Sequence, residues 1–193
     1  MSDGPNGVRG DSTSGKSSAC FPCPISLGST WNKELINKIG IALGQEALDK
    51  DVDVLLGPTI NLHRHPLGGR HFENFSEDPV LTGEIAVAYV KGVQSKKVSA
   101  CLKHFVANDT EFERHTVSSN LDERTLREIY LLPFEMGIKK AKAKSVMSAY
   151  NKLNNIYCSS NKDLLIDILN KEWGFDGYVV SDWGAALETV DNA

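Results

Sequence analysis

An uncharged run, Gly177-Tyr178-Val179-Val180, leads straight into Ser181-Asp182-Trp183. A carboxylate in that place could attack an electrophilic carbon, move a proton, or simply cap the next turn. An uncharged run bounded by turn formers fits a strand buried on both faces of a parallel sheet. A functional group at the C-terminal end of such a strand stands where α/β barrels carry their chemistry. The pattern recurs along the chain. Arg64 and Arg70 follow one apolar run. Lys103 and His104 sit at the end of another, ahead of Asp109, Glu111, Glu113 and Arg114, and Tyr150 and Asn151 follow a third. Parallel strands in one barrel would bring all of these to one rim. Such a rim, poor in apolar groups, suits a polyhydroxylated ligand. Cations and imidazoles donate hydrogen bonds to hydroxyls, carboxylates accept them, and Trp183 offers a flat face to a sugar ring.

The elements that must position these groups are read from periodicity. Residues 1–19 are rich in Gly, Ser and Asp and read as loop. Pro24 to Gly28 reads as a short strand. Ser29-Thr30 offers a helix cap, and Trp31 to Lys50 carries Leu35, Ile36, Ile39, Leu43 and Ala47 at helical spacing. Val52 to Ile60 reads as a strand and 61–79 as a long loop, of the kind that is usually functional. A helix follows from Asp78-Pro79 to about Gln94. Val98 to Val106 is a strand, 107–120 a polar loop, and 122–144 a helix that Pro133 should kink or divide. Ser145 to Tyr150 is a strand and 162–173 a helix with Leu164, Leu165, Ile168 and Leu169 as its stripe. The strand ending at Asp182 comes next, and Leu187 to Ala193 starts another helix. Alternating strands and helices predict an α/β fold with about five parallel strands. An eight-stranded barrel takes about 250 residues. The expectation is therefore a partial TIM-type (β/α) barrel, truncated at both ends.

Composition removes several function classes. The chain has 193 residues, a formal charge of −4 and 41% hydrophobic residues, enough for one core. Without a basic excess there is no electrostatic case for nucleic acid. No apolar run approaches the roughly 20 residues of a membrane span. The first residues lack the basic-then-apolar pattern of a signal peptide, which points to a cytoplasmic protein if the start is genuine. Cys20 and Cys23 have CxxC spacing without a second pair, so unpaired thiols are favoured over a zinc or redox site. His63 and His65 lack acidic or thiol partners at metal-ligand spacing, so no metal and no cofactor is expected. The sequons at Asn74 and Asn108 read as coincidence.

Set in order, the motifs carry a resemblance. Asp3-Gly4-Pro5-Asn6-Gly7-Val8-Arg9 is similar to the substrate loop of the family 3 glycoside hydrolases, the β-glucosidase family. Leu56 to Arg64, Pro66 to Glu73, Phe75 to Pro79, Lys103-His104-Phe105, Met147 to Asn151 and Ser181-Asp182-Trp183 continue it across nearly the whole chain. The resemblance implies a retaining enzyme acting on terminal β-glucosyl residues, with Asp182 as the nucleophile that forms a covalent glycosyl-enzyme. It implies that Asp3, Arg9, Arg70, Lys103, His104, Met147 and Tyr150 line the non-reducing-end sugar site, with Trp183 flanking the next subsite. Tyr150 would bond the nucleophile region, and Lys103 and His104 would donate to sugar hydroxyls. Met147 also reads as plain core filler.

Two departures stand out. Asn155 occupies a turn position where the family usually has glycine, and asparagine tolerates positive φ. The family's acid/base glutamate comes from a second domain, so 1–193 reads as an incomplete N-terminal barrel domain without that group. Glu111 and Glu113 are the nearest candidates by position, and neither is favoured for the role. A carbohydrate-binding remnant or inactive fragment, and a β-xylosidase, are the alternatives. The isolated chain is expected to fold poorly, because five strands leave two edges open.

Overall fold

The apolar runs of the sequence lie side by side in a parallel sheet. The computed structural model describes residues 1–10 and 16–186. In chain order the elements are β1 (Ser2–Asp3), α1 (Pro24–Gly28), α2 (Lys33–Asp49), β2 (Val54–Leu56), a 3-10 turn (His71–Glu73), α3 (Pro79–Gln94), β3 (Ser99–Phe105) and β4 (Ser118–Ser119). There follow α4 (Glu123–Thr125), a π-helical turn (Leu126–Tyr130), α5 (Leu132–Ala141), β5 (Ser145–Ser148), β6 (Lys152–Leu153), β7 (Ile156–Tyr157), a 3-10 turn (Cys158–Ser160), a π-helical segment (Asp163–Glu172) and β8 (Tyr178–Ser181). Five strands form the main sheet in the order β1-β2-β3-β5-β8, each pair parallel. The order never reverses, as it would in a doubly wound sheet. A singly wound α/β sheet of this kind is an arc of a (β/α) barrel.

The two faces of the sheet alternate residue by residue, as strand geometry requires. Leu55, Ala100, Leu102 and Val146 point into the helix layer and belong to the large core. Leu56, Cys101 and Met147, joined by Val54 and Val180, form a small separate cluster on the other face. That second cluster underlies the strand ends where the polar groups gather. Phe105, at the end of β3, is fully buried and meets Phe134 edge-on at 5.0 Å and Trp173 at 6.0 Å between ring centres. On β8 the side chains of Tyr178 and Val179 remain exposed.

Several elements differ from the sequence reading. Pro24–Gly28 is helix, not strand. Pro24 fits the first helical turn, Ser29 donates its hydroxyl to the Ile25 carbonyl, and five residues are too few to show a period. The edge strand comes instead from Ser2–Asp3, inside the segment read as loop. Helix α2 is capped by Asn32, whose side chain accepts from the Leu35 N–H at 3.0 Å, not by Ser29-Thr30. Leu35 consequently sits off the buried face, while Ile36, Ile39, Leu43 and Ala47 are buried. The helix over 122–144 is divided, as expected from Pro133, which lies in the first turn of α5. The expected helix from Leu187 falls outside the described residues.

The hairpin β6–β7 turns through Asn154 and Asn155 at φ 49° and 71°. A two-residue turn with both centres at positive φ matches strand twist, and asparagine accepts that conformation. Asn155 therefore replaces glycine without losing the turn.

Helices α2 and α3 meet through glycines. A Cβ on Gly92 would come within 2.4 Å of the Asn37 carbonyl oxygen, and one on Gly40 within 2.5 Å of the Tyr89 carbonyl oxygen. Gly92→Leu is expected to cost about 3 kcal/mol or more, because backbone on both sides must move. Urea unfolding would show this as a lower midpoint at an unchanged slope.

Candidate active site

The C-terminal ends of the strands converge on a cavity of about 210 Å³ lined by Asp3, Arg70, Lys103, His104, Arg114, Met147, Tyr150, Asp182 and Trp183. Its scale is that of a single monosaccharide. Every residue expected for the sugar site is present except Arg9. A larger hollow of about 500 Å³ runs along the outside of α2 and α3, away from these groups, between Lys33, Glu84 and Lys91.

Asp182 follows directly on β8 and is buried. Its Oδ1 accepts from the Trp183 N–H at 2.9 Å. Its Oδ2 accepts no hydrogen bond and lies 3.6 Å from His104 Nε2. One carboxylate oxygen is thus anchored by backbone, and the other is buried without a hydrogen-bond donor. Tyr150 donates to the Trp183 carbonyl at 2.7 Å, which fixes the residue after the nucleophile candidate, and its hydroxyl also interacts with the Asp182 carboxylate. Burial and the nearby Asp182 charge raise the Tyr150 pKa. Met147 is 2% exposed and serves both readings, packing under the site and lining it.

The cations are held by a chain of carboxylates. Arg70 binds Glu73 through Nε at 2.7 Å and Nη2 at 3.1 Å. Thr59 Oγ1 donates to Glu73 at 3.2 Å. Burial alone would raise the Glu73 pKa, but the Arg70 hydrogen bond, its charge and that of Lys103 pull it below the ordinary value. Glu111 joins the two arginines, 3.6 Å from Arg70 Nη1 and 2.6 Å from Arg114 Nη1. Arg114 also lies over the Tyr150 ring at 4.7 Å, while His115 meets that ring edge-on at 4.4 Å. Glu111 is therefore engaged by two guanidinium groups, and Glu113 is exposed at the surface.

His104 is fully enclosed. Burial lowers its pKa well below the ordinary value, and Lys103, Arg70 and Arg114 add to the shift. The imidazole is consequently neutral near pH 7. Lys103–His104 and Phe105–Val106 are cis peptide bonds.

Asp3 reaches the cavity from β1. The loop behind it folds back, with the Arg9 N–H donating to the Asp3 carbonyl at 2.9 Å. The loop is clamped to α2, where Glu46 accepts from the Val8 N–H at 2.9 Å and Lys50 donates to the Val8 carbonyl at 2.6 Å. Arg9 itself has a side chain 73% exposed and sits 3.7 Å from the Asp3 carboxylate. It touches Asp3 rather than the cavity. Arg114 is the residue sequence reasoning did not assign, although it stood among the polar groups after β3. It pairs with Glu111 three residues earlier, but the Ser118–Ser119 pairing with β6 that shapes its loop is not reported by any local spacing.

Asp109 lies behind the rim, with Oδ1 accepting from the Leu62 N–H at 3.0 Å. Burial pushes its pKa up to about 6, against the pull of that N–H, Arg64 and His71. Between the unfolded value near 3.9 and about 6 the folded state holds the extra proton, so this group costs stability as pH rises through that window. Asp109→Asn keeps an acceptor and removes the cost. It is expected to be no more stable than the parent at pH 3.5, and more stable by about 1–3 kcal/mol above pH 6.5. Denaturant melts at the two pH values check this.

The remaining candidates stay apart from the site. Cys20 and Cys23 are free thiols near the surface, and Cys101 and Cys158 are buried. Asn74 and Asn108 are buried, which agrees with reading their sequons as coincidence. Among the described residues no group of three or more His, Cys, Asp or Glu side chains is disposed to hold a metal, and no helix is long and apolar enough to cross a membrane.

The glycosyl hydrolase family 3 N terminal domain matches residues 5–193. A β-glucosidase of Rhizobium radiobacter is 57% identical over 193 residues, covering 99% of this chain and 24% of that protein. A probable β-glucosidase I of Emericella nidulans is 55% identical over 184 residues, 95% of this chain and 22% of that protein. Among solved structures, β-glucosidase 3B from Thermotoga neapolitana in complex with glucose superposes with a TM-score of 0.91 at 53% identity, over 94% of this chain and 26% of that one. A β-glucosidase from Kluyveromyces marxianus in complex with glucose gives 0.93 at 48%, over 95% of this chain and 22% of that one. The chain spans about a quarter of the length of these relatives.

Proposed function

The chain belongs to glycosyl hydrolase family 3, and from that premise we propose that it supplies the sugar-binding and nucleophile-bearing part of a retaining β-glucosidase. The observation that carries the proposal is the asymmetric setting of Asp182 in the cavity wall, with Oδ1 held by a backbone N–H and Oδ2 buried without a donor. A nucleophile needs that combination of fixed aim and a free lone pair.

In this reading a terminal glucosyl ring sits in the cavity. Asp3 accepts from its hydroxyls, and Lys103, Arg70 and Arg114 donate to them. Arg9 acts through Asp3. Trp183, 58% exposed at the mouth, stacks on the group in the next subsite. Asp182 Oδ2 attacks the anomeric carbon as the glycosidic bond breaks and forms an acylal-type ester. Water then cleaves the ester, and the β configuration is restored after two inversions. The leaving oxygen takes its proton from a second carboxyl group, which retention requires at about 5–5.5 Å from the first. Glu73 and Glu111 are occupied by arginines. We assign the acid/base to a residue outside these 193, in the remaining length that the relatives possess.

The test is hydrolysis of 4-nitrophenyl β-glucoside, β-xyloside and α-glucoside by a full-length protein carrying this sequence, with the product followed by proton NMR. β-Glucose is the expected first product, from the β-glucoside in preference to the xyloside. α-Glucose as first product would remove the retaining mechanism, and a strong preference for xyloside would move the substrate.

A further inference from the structure

Asn61 and His104 stand 43 residues apart in sequence, and both are almost fully buried. They are joined three times. The Asn61 Nδ2 donates to the His104 carbonyl at 2.9 Å, the His104 backbone N–H donates to Asn61 Oδ1 at 2.9 Å, and His104 Nδ1 lies 3.2 Å from that same oxygen. The first two contacts fix which end of the amide is oxygen, because a backbone N–H needs an acceptor and a carbonyl needs a donor. Asn61 Oδ1 can only accept, so Nδ1 must carry the proton. A neutral ring then has a lone pair on Nε2. The opposite tautomer would set two lone pairs against each other at 3.2 Å inside the protein. On the other side of the ring Nε2 stands 3.6 Å from Asp182 Oδ2, beyond hydrogen-bond distance, so a proton on Nε2 would not replace the lost bond.

We propose that Asn61 is a positioning residue that locks His104 as the Nδ1–H tautomer, so that Nε2 enters the cavity as a hydrogen-bond acceptor. The expected donor role of His104 is thereby reversed. The sugar hydroxyl beside His104 gives its proton to Nε2 and turns its lone pairs toward the neighbouring cations. That hydroxyl must be a donor, so a fluorine or methoxy group cannot replace it. The ligand part of the inference rests on the β-glucoside reading; the tautomer does not.

The experiment is long-range nitrogen–proton NMR correlation on a full-length protein carrying this sequence, labelled with 15N-histidine, at pH 7.5. The His104 signals are identified by their loss in His104→Gln. The expected spectrum has Nδ1 in the protonated range and Nε2 in the unprotonated range. Asn61→Leu is expected to move the proton to Nε2, and Asn61→Asp, which keeps an acceptor, to leave it on Nδ1. Protonated Nε2 in the parent chain overturns the proposal, whether or not either variant folds. In a glucose titration of the same samples, Asn61→Leu should weaken binding about tenfold and Asn61→Asp should recover most of it. Equal weakening by both variants, with the tautomer unmoved, would reduce Asn61 to a packing role and overturn the proposal. Lack of glucose binding by a parent chain that shows the expected tautomer would leave the lock standing and sink the sugar reading instead.

Discussion

Asp182→Ala, in a full-length protein carrying this sequence, is expected to lower β-glucoside turnover by about 10⁴-fold or more. The fold should be unaffected. The Asp182 carboxylate accepts from its own neighbour's N–H at 2.9 Å, and the backbone bonds that Asp182 makes to Ser148 and receives from Ala185 survive the substitution. Loss of a buried carboxylate among Lys103, Arg70 and Arg114 leaves unpaired positive charge, so a modest fall in Tm is consistent with the account. The loss of rate is expected for activated and unactivated substrates alike, because the first bond to the anomeric carbon can no longer form. The void left by the carboxylate should admit azide. Azide attacks from the same side as the missing Oδ2, so the expected product is the α-glucosyl azide. Restored turnover with a β-linked azide would place attack on the other face and remove Asp182 from the role.

The second large effect is one of stability. Phe105→Ala is expected to cost about 3–5 kcal/mol, the range for deleting a fully buried aromatic ring. Phe105 is 0% exposed, with Phe134 at 5.0 Å and Trp173 at 6.0 Å. Its place in the chain couples packing to function. It follows Lys103-His104, and its carbonyl accepts from the Ala149 N–H at 2.8 Å, one residue before Tyr150. The cavity left by the ring therefore loosens two strand ends that line the site. Phe105→Leu should recover much of the stability, and thermal melts of both variants decide the matter. A Phe105→Ala protein within 1 kcal/mol of the parent would mean the core does not close as described.

Much of this site was legible because barrel geometry converts a sequence rule into a spatial one. Groups that follow strands share a rim, so Asp182, Lys103, His104 and Tyr150 could be grouped before any coordinates were known. The number of main-sheet strands was also legible, but one of them was misassigned. Ser2–Asp3 is too short to show a period, and it becomes a strand only by pairing with Leu55 and Leu56. Pro24–Gly28 fails in the opposite direction, because a five-residue helix and a short strand look alike when side-chain period is the only signal. The π-helical stretches, Leu126–Tyr130 and Asp163–Glu172, keep enough of a helical stripe to read as ordinary helix.

What escaped was everything set by contacts between distant segments. Arg114 shares Glu111 with Arg70, which comes from a distant segment. Arg9 stays out because its loop is tied to α2 through Glu46 and Lys50. The acceptor role of His104 depends on Asn61, which no spacing connects to it. Residue types announce which chemistry is available at the rim; donor and acceptor roles are decided by partners that lie far away in sequence.

The covalent step can be read directly by trapping. Dinitrophenyl 2-deoxy-2-fluoro-β-glucoside has a leaving group that hardly needs an acid, and its fluorine slows breakdown of the ester. Incubated with the full-length protein and digested, it should leave one fluoroglucosyl group on the peptide containing Asp182, with dinitrophenol released in equal amount. A label on any other carboxylate, or continued turnover with Asp182 unmodified, would contradict its assignment as the nucleophile.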